Sequence, residues 1–378
     1  MIILYHPQPN ERHRRLAALL QSAWTQPVAF GPDDDAVRWN DSGWLDQQNS
    51  AEPASSDYAA WIFWRTWVWE ETLPKDQHAR PIGRDAQRDL LLPEAEVKAR
   101  EWAASMGISL PDGARPAPVL VVDIDHLFAY RGRGLKSAVG GFLSNLIRGE
   151  FGELRTRIFG PDPFYSLVFW TELAQRFPQL ELQFFALLAA ERGPFDRGVA
   201  PNSSVVREAL RTLCVRFDVG AHLSYGSHDR AQGYRQELAE LESILDRPVM
   251  RQRSHFLRKA GTEELLTSLE KLGVVEDWSL EFADVPGFRS GWASAVPCAG
   301  VQQLPVAAMD QNFLGMSPRE IADSLHALQA SAWSVGAPLR VSTHWRIFGP
   351  KPEVERSGKD FTVWREGLNL WLNEWSRA

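Results

Sequence analysis

Short apolar runs recur through the last two thirds of the chain, and stretches with helical spacing fall between them. Val119 to Ile124 is the strongest run, ending in acidic residues as a buried parallel strand does when it delivers side chains to its carboxyl end. Further runs occupy Leu182 to Leu188, Val215 to Val219, Val274 to Ser279, Val306 to Met309 and Leu339 to Ser342. Helical patterns cover Phe164 to Phe177, Ser203 to Cys214, Ala231 to Leu245, Thr262 to Leu272 and Pro318 to Ala330. This alternation predicts one large α/β domain of the (β/α) barrel kind.

Before it, Ile2 to Tyr5 reads as a strand, Glu11 to Leu20 as a helix and Pro27 to Asp35 as a loop. Asp41 to Ser56 is polar and loop-like, whereas the aromatic stretch Tyr58 to Trp69 suits a helix or a buried strand. Leu90 to Met106 is helical, with Pro93 near its start. Three prolines between Pro111 and Pro118 mark a connector. The expected domains are residues 1–115, a smaller N-terminal α/β accessory domain, and residues 116–378, the barrel.

Candidate chemistry gathers where the predicted strands end. Asp123-Ile124-Asp125-His126 closes the first strong strand, and curling there lets both carboxylates approach one site. One can bind a metal while the other accepts a proton, since a cation favours ionised carboxylates. His222, His255 and His344 also follow or end candidate strands, and a βα architecture collects such groups at one end. Asp with two His is a ligand set for zinc or another divalent transition metal. Arg253 can orient Asp123 or a substrate oxyanion through its donor fork. Asp277 and Arg289 extend the polar set, and Trp278, Trp292 and Trp345 can present ring faces to sugars or fill the core.

Composition narrows the field. With 378 residues, 44% hydrophobic, the chain can build a sizeable core, so disorder is excluded. A formal charge of -7 argues against a broad nucleic-acid footprint and leaves only local basic patches such as Arg131 to Lys136, within which Arg131-Gly132-Arg133-Gly134 reads as a flexible basic loop rather than a nucleotide cradle. Two cysteines, Cys214 and Cys298, make no disulfide scaffold and lack zinc-site spacing. No apolar stretch approaches the ~20 residues of a membrane span. The opening MIILYHPQPNERHRR is unlike a secretory signal, so a cytoplasmic location is expected. GxGxxG after a strand, GxxxxGK[ST], HExxH and GxSxG are all missing. Eight of the sixteen tryptophans lie before residue 116, where packing explains them best.

Residues 116–378 resemble the polysaccharide deacetylase family, in a divergent branch with a separate N-terminal domain. The segments that carry the resemblance are Val121-Val122-Asp123-Ile124-Asp125, Gly220-Ala221-His222-Leu223-Ser224-Tyr225, Arg253-Ser254-His255-Phe256-Leu257 and Gly287-Phe288-Arg289-Ser290-Gly291. The resemblance implies a distorted (β/α) barrel and a metal-dependent hydrolase removing acetyl groups from an N-acetylated carbohydrate or glycan precursor. It makes Asp123 the general base, Asp125 and His222 metal ligands, and His344 the general acid. The family's second ligand His stands four residues after the first, where this chain has Gly226. His255 or His228 replaces it, and His255 is preferred because it follows a separate strand. The implied cofactor is a divalent ion, zinc first. The implied partners are a glycan precursor and peripheral contact with a biosynthetic complex. Two other readings remain, an inactive carbohydrate-binding or scaffold protein and a glycosidase with paired carboxylates.

Overall fold

A computed structural model describes residues 1–377 other than 34, 48–49, 112, 133–146, 148–150, 152–154, 156–159, 192, 197–202, 231 and 351–360. Most of the basic stretch Arg131 to Lys136 therefore lies outside the described residues. The chain forms two compact units, one made of residues 1–118, 259–312 and 326–340, the other of 119–258, 313–325 and 341–378.

The first unit opens with β1 (Ile2–Tyr5), α1 (Glu11–Trp24) and β2 (Val28–Gly31), and β1 pairs in parallel with β2. The helix begins where the Asn10 side chain accepts the His13 N–H, and it buries Leu16, Leu19, Leu20 and Ala23 along one face. The expected loop from Pro27 thus contains a strand, made by pairing to β1 rather than by local pattern. The aromatic stretch resolves as a helix, α2 (Tyr58–Trp67), because Asp57 caps the Ala60 N–H at 3.0 Å. Together with α3 (Glu94–Ser105) it builds a core holding Trp24, Trp44, Trp61, Trp64, Trp69 and Trp102. The early tryptophans are therefore packing mass. Later segments of this unit supply α7, β7, β8, β9 and β10, at Glu263–Glu270, Glu276–Asp277, Val296–Cys298, Val301–Gln303 and Ala308–Met309. The pair β7 and β9 runs parallel, and β8 and β9 antiparallel.

The second unit alternates β3 (Val119–Ile124), α4 (Leu167–Arg176), β4 (Glu181–Leu187), α5 (Ser204–Cys214), β5 (Asp218–Leu223), α6 (Gly233–Leu245) and β6 (Arg251–Ser254). After α8 (Pro318–Ser334), β11 (Arg340–His344) joins this sheet and α9 (Thr362–Trp375) follows. The strands lie in the order β11, β3, β4, β5, β6, and β3 through β6 pair in parallel. All six residues of β3 are buried, as covering both faces of a parallel sheet requires. Helix α5 buries Val206, Ala209, Leu210 and Leu213 at helical spacing. The apolar run at Val215 is not a strand: Val215 caps α5, 85% exposed, and the strand starts at Asp218. Within β5, Gly220 is required by close approach, since a Cβ there would stand 2.7 Å from Phe185 and 2.8 Å from the Arg251 carbonyl oxygen. The fold is mixed α/β with an open, mostly parallel sheet, an α/β class expected from the alternation and of the distorted barrel kind that the resemblance implies. Among the described residues no helix is long and apolar enough to cross a membrane.

Candidate metal centre

The carboxyl ends of the parallel strands carry the polar side chains. Asp125 stands one residue past β3, His222 is the penultimate residue of β5, His255 follows β6 directly, and His344 ends β11. One ligand atom from each of Asp125, His222 and His255 lies within 4.8 Å of those of the other two, and all three residues are buried. His222 Nε2 is 3.4 Å and His255 Nε2 3.6 Å from Asp125 Oδ1, an oxygen with no hydrogen-bond partner among the described residues.

The other nitrogen of each ring is already held. His222 Nδ1 donates to the Arg253 carbonyl oxygen at 2.9 Å, and His255 Nδ1 donates to Asp196 Oδ1 at 2.9 Å. Each bond places the proton on Nδ1 and turns the Nε2 lone pair toward Asp125, the arrangement metal-ligating imidazoles adopt. Asp196 is held in turn by the backbone N–H groups of Tyr225 at 2.8 Å and Gly226 at 2.9 Å. The glycine where a second ligand was sought therefore anchors the carboxylate that orients another imidazole. Asp196 had no signal in the sequence, because it lies in a loop 59 residues from its partner.

Charge is concentrated around Asp125. Burial alone would raise its pKa, but the His222 contact and the nearby His255, His344 and Arg346 hold it well below the usual carboxylate range. Arg346 Nη1 donates to Oδ2 at 2.6 Å, and His344 Nε2 lies 3.7 Å from the same oxygen. For His222, burial works downward, yet Asp123 and Asp125 outweigh it and raise the pKa. Burial likewise pushes Asp196 upward, and the bonds from His255, Gly226 and Tyr225 bring it below its ordinary value. An unpartnered carboxylate oxygen facing two oriented Nε2 atoms fits a divalent cation, with Asp125, His222 and His255 as protein ligands.

Beside this cluster, fully buried Arg253 directs Nε at both Asp123 oxygens, at 2.9 and 3.0 Å. His228 is outside the three-residue group, its Nδ1 2.7 Å from the Tyr234 hydroxyl. Trp345 is 1% exposed, its Nε1 donating to the Leu127 carbonyl oxygen at 3.3 Å. The remaining candidates belong to the first unit. Arg289 there donates to both Glu70 oxygens at 2.8 and 2.9 Å, and to the Ala260 carbonyl oxygen. Asp277 accepts from the Ser279 N–H at 3.2 Å, Trp292 Nε1 donates to Thr66 Oγ1 at 2.7 Å, and Trp278 is 3% exposed. All three tryptophans are enclosed by protein.

The fold and the cluster together define an α/β protein with a buried Asp-His-His centre suited to a divalent metal. No family model matches the sequence, and no curated protein matches it. Among solved structures, a protein described as a polysaccharide deacetylase from Mycobacterium smegmatis is similar at 15% identity and a TM-score of 0.40, over 70% of this chain and 86% of that one. A polysaccharide deacetylase from Bacillus cereus is similar at 11% identity and a TM-score of 0.29, over 69% of this chain and 89% of that one. A second Bacillus cereus polysaccharide deacetylase is similar at 14% identity and a TM-score of 0.24, over 47% of this chain and 61% of that one. Likenesses of this degree assign no residue roles.

Proposed function

We propose that the protein is a metal-dependent hydrolase that removes acetyl groups from an N-acetylated carbohydrate or glycan precursor, with zinc as the ion. The observation that carries this reading is the pair of imidazoles whose Nδ1 protons are fixed and whose Nε2 atoms face the unpartnered Asp125 Oδ1. A divalent ion held by Asp125, His222 and His255 would supply Lewis-acid polarisation of the acetamide carbonyl.

The chain's own groups do the rest. Asp123, held by Arg253, accepts the proton of the attacking water. Arg253 is a positioning residue, because its guanidinium fixes the direction of the carboxylate. His344, buried beside Asp125, returns a proton to the departing amine. In this reading a cytosolic sugar precursor or a lipid-linked intermediate is the substrate, acted on within or beside a biosynthetic complex.

Arg346 favours a second reading. Its bond to Asp125 already gives one carboxylate oxygen a cationic partner, so the pocket can hold a sugar with no ion bound. Acetate release from a panel of N-acetylated oligosaccharides, measured at defined zinc loading, separates the two. Turnover that depends on zinc and disappears in Asp123→Asn supports the hydrolase. Absence of both release and bound metal overturns it.

A further inference from the structure

A second group of possible ligands lies in the first unit, outside the hydrolase site. His6 follows β1, His13 sits in the first turn of α1, and Asp46 ends the short helical turn Trp44–Asp46. One ligand atom from each lies within 4.8 Å of the others, and the two rings are 4.0 Å apart between centroids. His13 is fully buried, and its Nε2 has no hydrogen-bond partner among the described residues. Leaving a buried ring nitrogen unpaired is costly, so an orphan facing a second imidazole and a carboxylate points to an absent ligand.

The remaining contacts fix the ring roles. His13 Nδ1 lies 2.8 Å from Asn10 Oδ1 and 3.3 Å from the Asn10 N–H. The shorter contact is the one a ring N–H makes, which leaves the lone pair on Nε2. His6 Nδ1 accepts the Gln8 N–H at 3.2 Å, so its Nε2 faces Asp46 Oδ2 at 3.2 Å, with Asp41 Oδ2 at 3.7 Å.

We propose that His6, His13 and Asp46 form a second divalent-metal site of the zinc type, with Asp41 beside it. Two imidazole nitrogens and a carboxylate oxygen are donors for zinc and neighbouring late transition ions rather than for magnesium or calcium. An ion there would replace the His6–Asp46 hydrogen bond, with the single ring proton of His6 moving from Nε2 to Nδ1 and the N–H of exposed Gln8 giving up its bond to that nitrogen. It ties the end of β1, the start of α1 and the 44–46 turn together. The site is separate from the proposed hydrolase centre, and its occupancy does not depend on that assignment.

The test uses the full-length protein, stripped with a chelator, loaded with zinc and desalted, with the zinc-to-protein ratio measured by elemental analysis. Asp46→Asn removes one carboxylate from a side chain 46% exposed. His13→Gln keeps a side chain whose amide can donate to Asn10 Oδ1 in place of the ring N–H, so the helix start survives. Each variant is expected to hold one equivalent of zinc fewer than the wild type, while Asp125→Asn leaves that equivalent in place. Zinc is also expected to slow amide exchange across residues 1–46 at least tenfold in the wild type but not in His13→Gln. Variants that fold normally and hold as much zinc as the wild type overturn the proposal. So does a wild-type equivalent lost in Asp125→Asn alone.

Discussion

Replacing Asp196 by Asn tests whether the ring orientations matter to metal binding, because the change is nearly isosteric and leaves all three proposed ligands themselves unaltered. Asp196 Oδ1 takes the His255 Nδ1–H and the Tyr225 N–H, while Oδ2 takes the Gly226 N–H. With the amide oxygen in the first position, the new NH2 faces the Gly226 N–H, donor against donor, and the His255 bond loses its charge assistance. Flipping the amide instead points NH2 at His255 Nδ1 and forces the tautomer that removes the Nε2 lone pair. Removing such an outer partner weakens metal binding by about 10–100-fold, or about 1.4–2.7 kcal/mol. The unpaired Gly226 N–H adds a folding cost of about 1–3 kcal/mol. Competition for zinc against a chromophoric chelator reads the first effect, and chemical denaturation of the metal-free protein reads the second. Affinity unchanged within about twofold in a variant with the expected loss of stability would refute the orienting role and leave Asp196 as a loop anchor.

Three further outcomes are expected. Asp123→Asn should lower acetate release by about 10²–10⁴-fold with zinc content unchanged, and equal loss of metal would remove the base assignment. Gly220→Ala should destabilise the fold by about 1–3 kcal/mol, because its Cβ meets Phe185 and the Arg251 carbonyl below 3.0 Å. An unshifted denaturation midpoint would show that β4 and β6 yield more easily than their pairing suggests. Buried Glu96 has its pKa raised by burial, against the bonds from Ser294 and Ala293, so the folded state binds more protons than the unfolded chain. Its contribution is present below the unfolded carboxyl pKa and is lost as pH rises through the folded value. Urea titrations across that range should show the decline in wild type and a flatter profile in Glu96→Gln; parallel profiles would contradict it.

The legible parts of the sequence were those whose burial is apolar. The run Val119 to Ile124 matches β3 residue for residue, because a strand covered on both faces has no polar positions to confuse its limits. By contrast β6, Arg-Gln-Arg-Ser, expected only as the strand before His255, has no apolar run to mark its limits, since its charges are satisfied by distant side chains. Arg253 pairs with Asp123, and Arg251 with Asp218 and Gln183. Helix α9 escaped notice although Trp364, Leu368, Trp371 and Leu372 have helical spacing and are all buried. That signal was present, unlike any for β2, which depends on pairing with β1. The cluster Asp125, His222 and His255 could be suggested from residue types at strand ends. The tautomers could not, because they depend on a backbone carbonyl 31 residues from His222 and a carboxylate 59 residues from His255.

Position 253 has two separable duties. Its carbonyl oxygen holds His222 whatever side chain the residue bears, while its guanidinium alone steers Asp123. On the proposed mechanism, a substitution there takes away the group that directs Asp123 and leaves the His222 ring in place. In the proposed hydrolase, a single codon at this position would separate holding an ion from using it.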